Sequence, residues 1–385
     1  MLSVGIWPQL EFISETGEHH LVSNCYGLDM AFNEKGKLLK DLETAQKRCA
    51  QLPHLSAAVP TDFFERIRNC IEAQAEGSHP FKLPVIFFFL KRGDLPELQT
   101  FDDFLAHLKQ GRRKREFRHL LQRLLEEDGY RQAMGAIFEV EVLAELLSVG
   151  EAISVNLYPK SPATQKKPDA CIVLAQKTVY IEITLLSQAE YQEKIEDIRE
   201  KSAYEQVILD ESEMEELGIR SVQGGRIHGV GFPYEDALRV IGKLDAKRDQ
   251  LVPGAPNIIC LGLSDLNPGI RSVEWATQDF FSGSPNMAQA ELDRFTALLI
   301  NKSASMRAEK VRNIWGKIQT LKRLIGHFKA EPQLTGVLTF QRKGNGFSPK
   351  KVFRNPSPCS LNGLTESDWK DVLELFGLPL VGDHA

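Results

Sequence analysis

Two acidic residues on either side of a tight turn carry the strongest chemical signal in this 385-residue sequence. The runs Asp169–Ala175 and Thr178–Leu186 are rich in Val, Ile and Thr, and Gln176-Lys177 between them reads as a two-residue hairpin turn. With that turn, Ala175 pairs with Thr178, Val173 with Tyr180, Cys171 with Glu182, and Asp169 with Thr184. Strand alternation then puts Asp169, Cys171, Val173, Tyr180, Glu182 and Thr184 on one face. Ile172, Leu174, Val179, Ile181, Ile183 and Leu185 form the other, an unbroken apolar set that must face the core. Asp169 and Glu182 become diagonal neighbours within roughly 7–8 Å. Carboxylates that close repel unless a cation sits between them, and Mg²⁺ is held by one or two carboxylates with water and substrate phosphate. The plain alternative is an exposed hairpin face with ordinary surface acids.

A third carboxylate belongs to the helix expected over Arg131–Val149. On a wheel of 3.6 residues per turn, Met134, Phe138, Val142, Leu146 and Val149 define an apolar arc widened by Leu143 and Leu147. Glu141 and Ser148 mark the solvent face and Glu145 the arc's edge, whereas Glu139 falls near the arc's centre. A carboxylate there is costly unless something satisfies it. The bland reading is a Glu whose side chain bends back to water.

The segments Gly135-Ala-Ile-Phe-Glu139, Lys167-Pro168-Asp169 and Tyr180-Ile-Glu-Ile-Thr184 together resemble the PD-(D/E)XK nuclease superfamily. The resemblance spans about residues 130 to 265, with the strand at 334–341 and Asn355-Pro356 beyond it. Each motif is common by chance, and their order, spacing and shared strand face supply the specificity. The resemblance implies an α/β fold with a restriction-endonuclease-like core: helix, three-stranded meander, helix, strand. It also implies Mg²⁺ or Mn²⁺ held by Asp169 and Glu182, by Glu139 directly or through water, and by the carbonyl of Ile183. The sequence departs from the family where a lysine is usual, two residues after the second acid: Thr184 stands there and cannot supply a cation. On the helix reaching Leu251, Lys247 borders the apolar arc of Val240, Ile241 and Leu244, so it can bury its stem and present its ammonium to a cleft. Lys247 is the expected replacement and Lys243 the second candidate. A solvated helix face explains both equally simply.

Charge is uneven along a chain of net charge −5. Residues 301–354 hold thirteen Lys or Arg against two Glu, and residues 190–218 hold eleven acids against three cations. The expected contacts to a phosphate backbone are Arg312, Lys317, Lys322 and Arg323 in the basic helical region 292–329, Arg112 and Arg113 before it, and Lys166 and Lys167 beside Asp169. A net negative chain argues against indiscriminate coating of nucleic acid. DNA is the favoured substrate over RNA, a homodimer is compatible, and a restriction or defence role accords with the resemblance. The rival from another class is a nuclease-fold module that lost its lysine and binds nucleic acid or assembles without cutting. A third reading is a metal-free adaptor led by the N-terminal part.

The surrounding elements divide the chain into residues 1–115, read as a mixed α/β unit, and residues 116–385, the nuclease-like part. The first has a hairpin around Leu10–Leu28, helices over Lys37–Cys49 and Thr61–Ala75, and a buried strand over Val85–Leu90. The second has an acidic helical insert at 188–217 and a glycine-rich loop at 224–231. Those glycines follow no expected strand and do not match GxGxxG, so a dinucleotide or P-loop reading has no support. Six dispersed cysteines without a CxxC and nine histidines without HExxH give no zinc site or disulfide framework. The longest apolar run, Val85–Leu90, is too short to span a bilayer, and Met1–Ile13 lacks a basic n-region, so a cytoplasmic protein is expected.

Overall fold

A computed structural model of the chain describes residues 35–73, 84–92, 95–110, 114–125, 130–148, 154–160, 167–174, 177–186, 219–223, 226–229, 236–263, 270–343, 346–356 and 363–378. The architecture is mixed α/β. Its centre is a six-stranded sheet in the order β1 (Ser154–Leu157), β2 (Ala170–Val173), β3 (Thr178–Leu186), β6 (Asn257–Leu263), β7 (Leu334–Lys343), β8 (Gly346–Arg354). The first three strands form an antiparallel meander, β3, β6 and β7 run parallel, and β8 closes the far edge antiparallel. A separate hairpin pairs β4 (Ile219–Gln223) with β5 (Arg226–Gly229). All seven residues of β6 are buried, as a parallel strand covered on both faces requires.

Helix α7 (Tyr130–Ser148) covers one face of the sheet, where Phe138, Ala136 and Val140 join Ile172, Ile181, Ile183, Ile258 and Phe340 in one buried cluster. Gly262 sets the distance of that approach. A Cβ at Gly262 would stand 2.8 Å from two Phe138 ring atoms and 2.9 Å from Leu185, so the bare backbone seats the ring beside Glu139. The opposite face packs under α8 (Asp236–Lys247), α9 (Ile270–Ser282), α10 (Asn286–Lys302) and α11 (Ala308–His327), with Val240, Ile241, Leu244, Phe280 and Ile318 against Ile259, Leu261 and Val337. Helix α12 (Glu366–Leu375) closes the described chain and starts with a capping box between Thr365 and Asp368.

The position of α8 is fixed at both ends. Glu291 of α10, 4% exposed, accepts hydrogen bonds from the N–H groups of Ala237 (2.8 Å) and Leu238 (3.0 Å), donors that a helix start leaves unpaired. Asp279 of α9 does the same for α10 at Met287 N (2.7 Å). At the other end, Arg248 donates to the carbonyls of His327 (3.3 Å) and Lys329 (2.7 Å) and pairs with Glu331 at 2.9 Å.

Several sequence expectations change here. The described residues before α7 are helical throughout: α1 (Lys35–Ala50), α2 (Pro53–Ser56), α3 (Phe63–Ala73), α4 (Val85–Arg92), α5 (Leu95–Gln110) and α6 (Lys114–Leu125). The expected strand Val85–Leu90 is α4, whose Ile86, Phe87 and Leu90 are fully buried. A short apolar run has no period to separate a strand from an all-round buried helix. The N-terminal helices also share one apolar cluster with α7 and the sheet. The expected glycine-rich loop at 224–231 contains strand β5, which pairs antiparallel with β4 just before it. The hairpin near residues 10–28, the acidic insert 188–217, Arg112, Arg113 and Lys166 lie outside the described residues. Among the described residues, no helix is long and apolar enough to cross a membrane.

The register of β2 and β3 shifts by two residues. Val173 pairs with Thr178 and Cys171 with Tyr180, and Leu174 and Lys177 exchange backbone hydrogen bonds at 2.9 and 3.3 Å. Lys177 is drawn out of the turn because its ammonium donates to Gly363 O (2.7 Å) and meets Asp368 of the α12 capping box (3.3 Å), while Leu174 is buried. A slip of two preserves side-chain parity, so the expected faces stand although the partners change.

Candidate functional site

Asp169, Glu182 and Lys247 come together on the α8 side of the sheet. Asp169 sits one residue before β2 and donates its N–H to Ile181 O (3.1 Å), while its Oδ2 accepts from Ile183 N (2.7 Å). These two bonds bracket Glu182, so the acids are closer than the diagonal relation the sequence suggested. Glu182 is 2% exposed, and its Oε2 lies 3.1 Å from Lys247 Nζ, which also donates to Gln250 Oε1 at 2.7 Å. Thr184, on the same face of β3, is buried. The ammonium thus reaches the acids from α8, from the boundary position the helical wheel gave Lys247.

Asp169 keeps some residue surface exposed, yet its carboxylate is turned inward. Burial holds its pKa well above the ordinary 3.8, the charges of Glu182 and Glu139 push it further up, and Lys247 and the Ile183 N–H oppose them. Burial, and then the charge of Lys247, lowers the pKa of Lys243. Lys243 is therefore a neighbour of Lys247, while the ammonium in contact with an acid is that of Lys247.

Glu139 on α7 is half-buried, with both oxygens engaged. Arg123 Nη1 of α6 donates to Oε2 at 2.6 Å, and Tyr158 Oη donates to Oε1 at 2.7 Å. Its charge reaches Asp169 and Tyr158. Ile183, whose carbonyl the resemblance makes a ligand, also gives the site its amide, which donates to Asp169 Oδ2 at 2.7 Å. Among the described residues, no three His, Cys, Asp or Glu side chains are grouped so as to hold a metal ion. The fit of a hard divalent cation rests instead on the oxygen chemistry of the two adjacent acids and on the repulsion that an ion between them would relieve.

The sequence reading missed Tyr158 and Arg123. Tyr158 is the only non-glycine described residue with positive φ (46°), a conformation that costs roughly 1–3 kcal/mol and persists where its surroundings hold it. Here its N–H donates to Asp169 O (2.8 Å) while its hydroxyl holds Glu139, so one residue ties two acids together. Burial and the charge of Glu139 raise its pKa, which keeps the hydroxyl a donor. In the sequence, a tyrosine at the end of a β run is only a good strand former. Tyr158→Phe keeps the ring and removes the donor. For the nuclease that the sequence resemblance implies, the expected result is a roughly 10- to 100-fold loss of metal-dependent cleavage, the usual effect of deleting a group that orients a ligand. Unchanged cleavage would remove Tyr158 from the site.

The expected phosphate contacts separate. Arg312, Lys322 and Arg323 are exposed on α11, and Lys317 is half-buried with its ammonium 5.8 Å over the Phe295 ring. Lys167 is exposed and paired with Glu116 at 2.5 Å.

No family model matches the chain, and no curated protein or solved structure is significantly similar to it.

Proposed function

We propose that the chain is a metal-dependent nuclease of the PD-(D/E)XK type that hydrolyses phosphodiester bonds, with DNA the favoured substrate. The observation that carries this reading is the buried Asp169–Glu182 pair with the Lys247 ammonium 3.1 Å from Glu182. The order of helix, antiparallel meander, helix and parallel strand around it is the order that the motif resemblance implies. Asp169 and Glu182 would hold Mg²⁺ or Mn²⁺, with Glu139, both of whose oxygens already accept hydrogen bonds, acting through water. A divalent ion there would polarise the phosphoryl group and acidify a water molecule. Lys247 would orient that water and offset the charge that develops on the phosphate oxygens. The exposed cations of α11 supply phosphate contacts. A restriction or defence effector is the setting that fits such an enzyme.

A second reading, an inactive nuclease-fold module that binds nucleic acid or assembles, is favoured by Thr184 and by the engagement of Glu139, Asp169 and Glu182 with protein donors. Incubating the purified full chain with plasmid and oligonucleotide substrates in Mg²⁺ or Mn²⁺, against an EDTA control, separates the two. Metal-dependent nicking or fragmentation supports the enzyme. Intact substrate over a range of pH and metal concentration, with binding retained, supports the module.

A further inference from the structure

We infer that the outer face of α11 is a stacking track for single-stranded nucleic acid, with Trp315 as its platform and Arg312, Lys322 and Arg323 as its phosphate contacts. The inference deepens the nucleic-acid reading above and rests on it, but not on cleavage. Helix α11 packs inward through Ile314, Ile318, Leu321 and Leu324. The opposite stripe, at helical spacing, is Arg312, Trp315, Gln319, Lys322 and Arg323, all exposed. Trp315 leaves 53% of its surface in solvent, unusual for the residue with the largest apolar area. The ammonium of Lys322 lies 5.8 Å from the centre of its ring, so a cation borders the exposed indole.

The chemistry of the face selects its occupant. Three cations around an exposed aromatic, with no acid in the stripe, suit a polyanion. Only a strand whose bases are unstacked can lay a base on an indole, because a duplex offers its phosphates and groove edges instead. Helix α11 also packs against α8. Arg248, next to Lys247, donates to His327 O at the end of α11, and a Cβ on Gly242 of α8 would stand 3.8 Å from Leu324. The helix that carries the track is packed against the helix that carries the catalytic lysine.

The test is fluorescence anisotropy of the full chain in EDTA, with labelled oligothymidylate of about 20 nucleotides and a duplex of equal length. Trp315→Ala is expected to weaken single-strand binding by about 5- to 100-fold, the range of one base–aromatic stack, and to leave duplex binding within about twofold. Trp315→Phe should restore most of the loss. Arg323→Gln should weaken both ligands and lower the salt slope by a little under about one unit. Equal effects of Trp315→Ala on both ligands, or none on either, overturn the inference. So does a change in sedimentation without a change in affinity, which would mark the face as a contact between copies of the chain. Single-strand binding that follows this pattern in a protein that never cuts retires the nuclease and keeps the track; metal-dependent cutting without the pattern does the reverse.

Discussion

Asp169→Asn and Glu182→Gln, each alone, are expected to reduce Mg²⁺-dependent cleavage by about 10³-fold or more, and Lys247→Met by about 10²- to 10³-fold, the cost of deleting one preorganised electrostatic contact. The two kinds of variant should fail differently. The acids would bind the ion, so their loss should raise the metal concentration needed for half-maximal rate, partly offset by Mn²⁺. Lys247 would instead share Glu182 with the ion: its ammonium lies 3.1 Å from Oε2 in a pocket where Glu182 is almost wholly buried. Removing that cation strengthens the pull of the acids on a divalent ion, so Lys247→Met should lower kcat while half-saturation by Mg²⁺ stays the same or moves to lower concentration. Lys247→Arg keeps the charge but not the compact geometry, and should recover only part of the rate. Lys243→Met, which removes a neighbouring charge with no contact to the acids, should cost no more than about tenfold. If Lys243→Met is as damaging as Lys247→Met, or if Lys247→Met raises the metal requirement, the assignment of Lys247 is wrong.

These expectations draw on features of unequal visibility in the sequence. The faces of β2 and β3 follow from alternation alone, which a register slip of two leaves intact; the slip itself depends on Lys177 meeting Gly363 and Asp368, far along the chain. The boundary position of Lys247 follows from helical periodicity, because α8 presents one dominant apolar arc, and Glu139 reads as inward because α7 is apolar nearly all round, packed on the sheet and on the N-terminal helices. What the periodicity leaves out is the partner. Nothing local marks Arg123 or Tyr158 as donors to Glu139, or Glu291 as the buried carboxylate that caps α8, since each contact joins elements distant in sequence. Val85–Leu90 failed for a related reason: its six apolar residues suit any buried element, and the helices packed around it decide which.

The acids that would bind metal should also make the metal-free protein less stable than it could be, and this predicts a reversal that can be measured by melting. Asp169 titrates in the folded chain well above its ordinary 3.8, chiefly through burial and then through the charges of Glu182 and Glu139. Above pH 3.8 the unfolded chain releases this proton while the folded chain retains it, so the folded state binds more protons. Stability from this group is therefore complete below pH 3.8 and lost as pH rises through the folded pKa. Asp169→Asn removes that slope, and without metal it should melt higher than the wild type at pH 8, with a smaller difference at pH 4. Mg²⁺ should invert the ranking. Binding only the folded, deprotonated site, it adds about 2.7 kcal/mol at a hundredfold excess over its Kd, and should raise the wild-type Tm more at pH 8 than at pH 5. Asp169→Asn should gain little from Mg²⁺ at either pH. Differential scanning fluorimetry of the two proteins, with and without Mg²⁺ at both pH values, reads all of these directly. A wild type that melts identically with and without millimolar Mg²⁺, or an Asp169→Asn protein less stable than wild type in EDTA at pH 8, would mean that the acids are ordinary structural partners of Lys247 and the Ile183 amide.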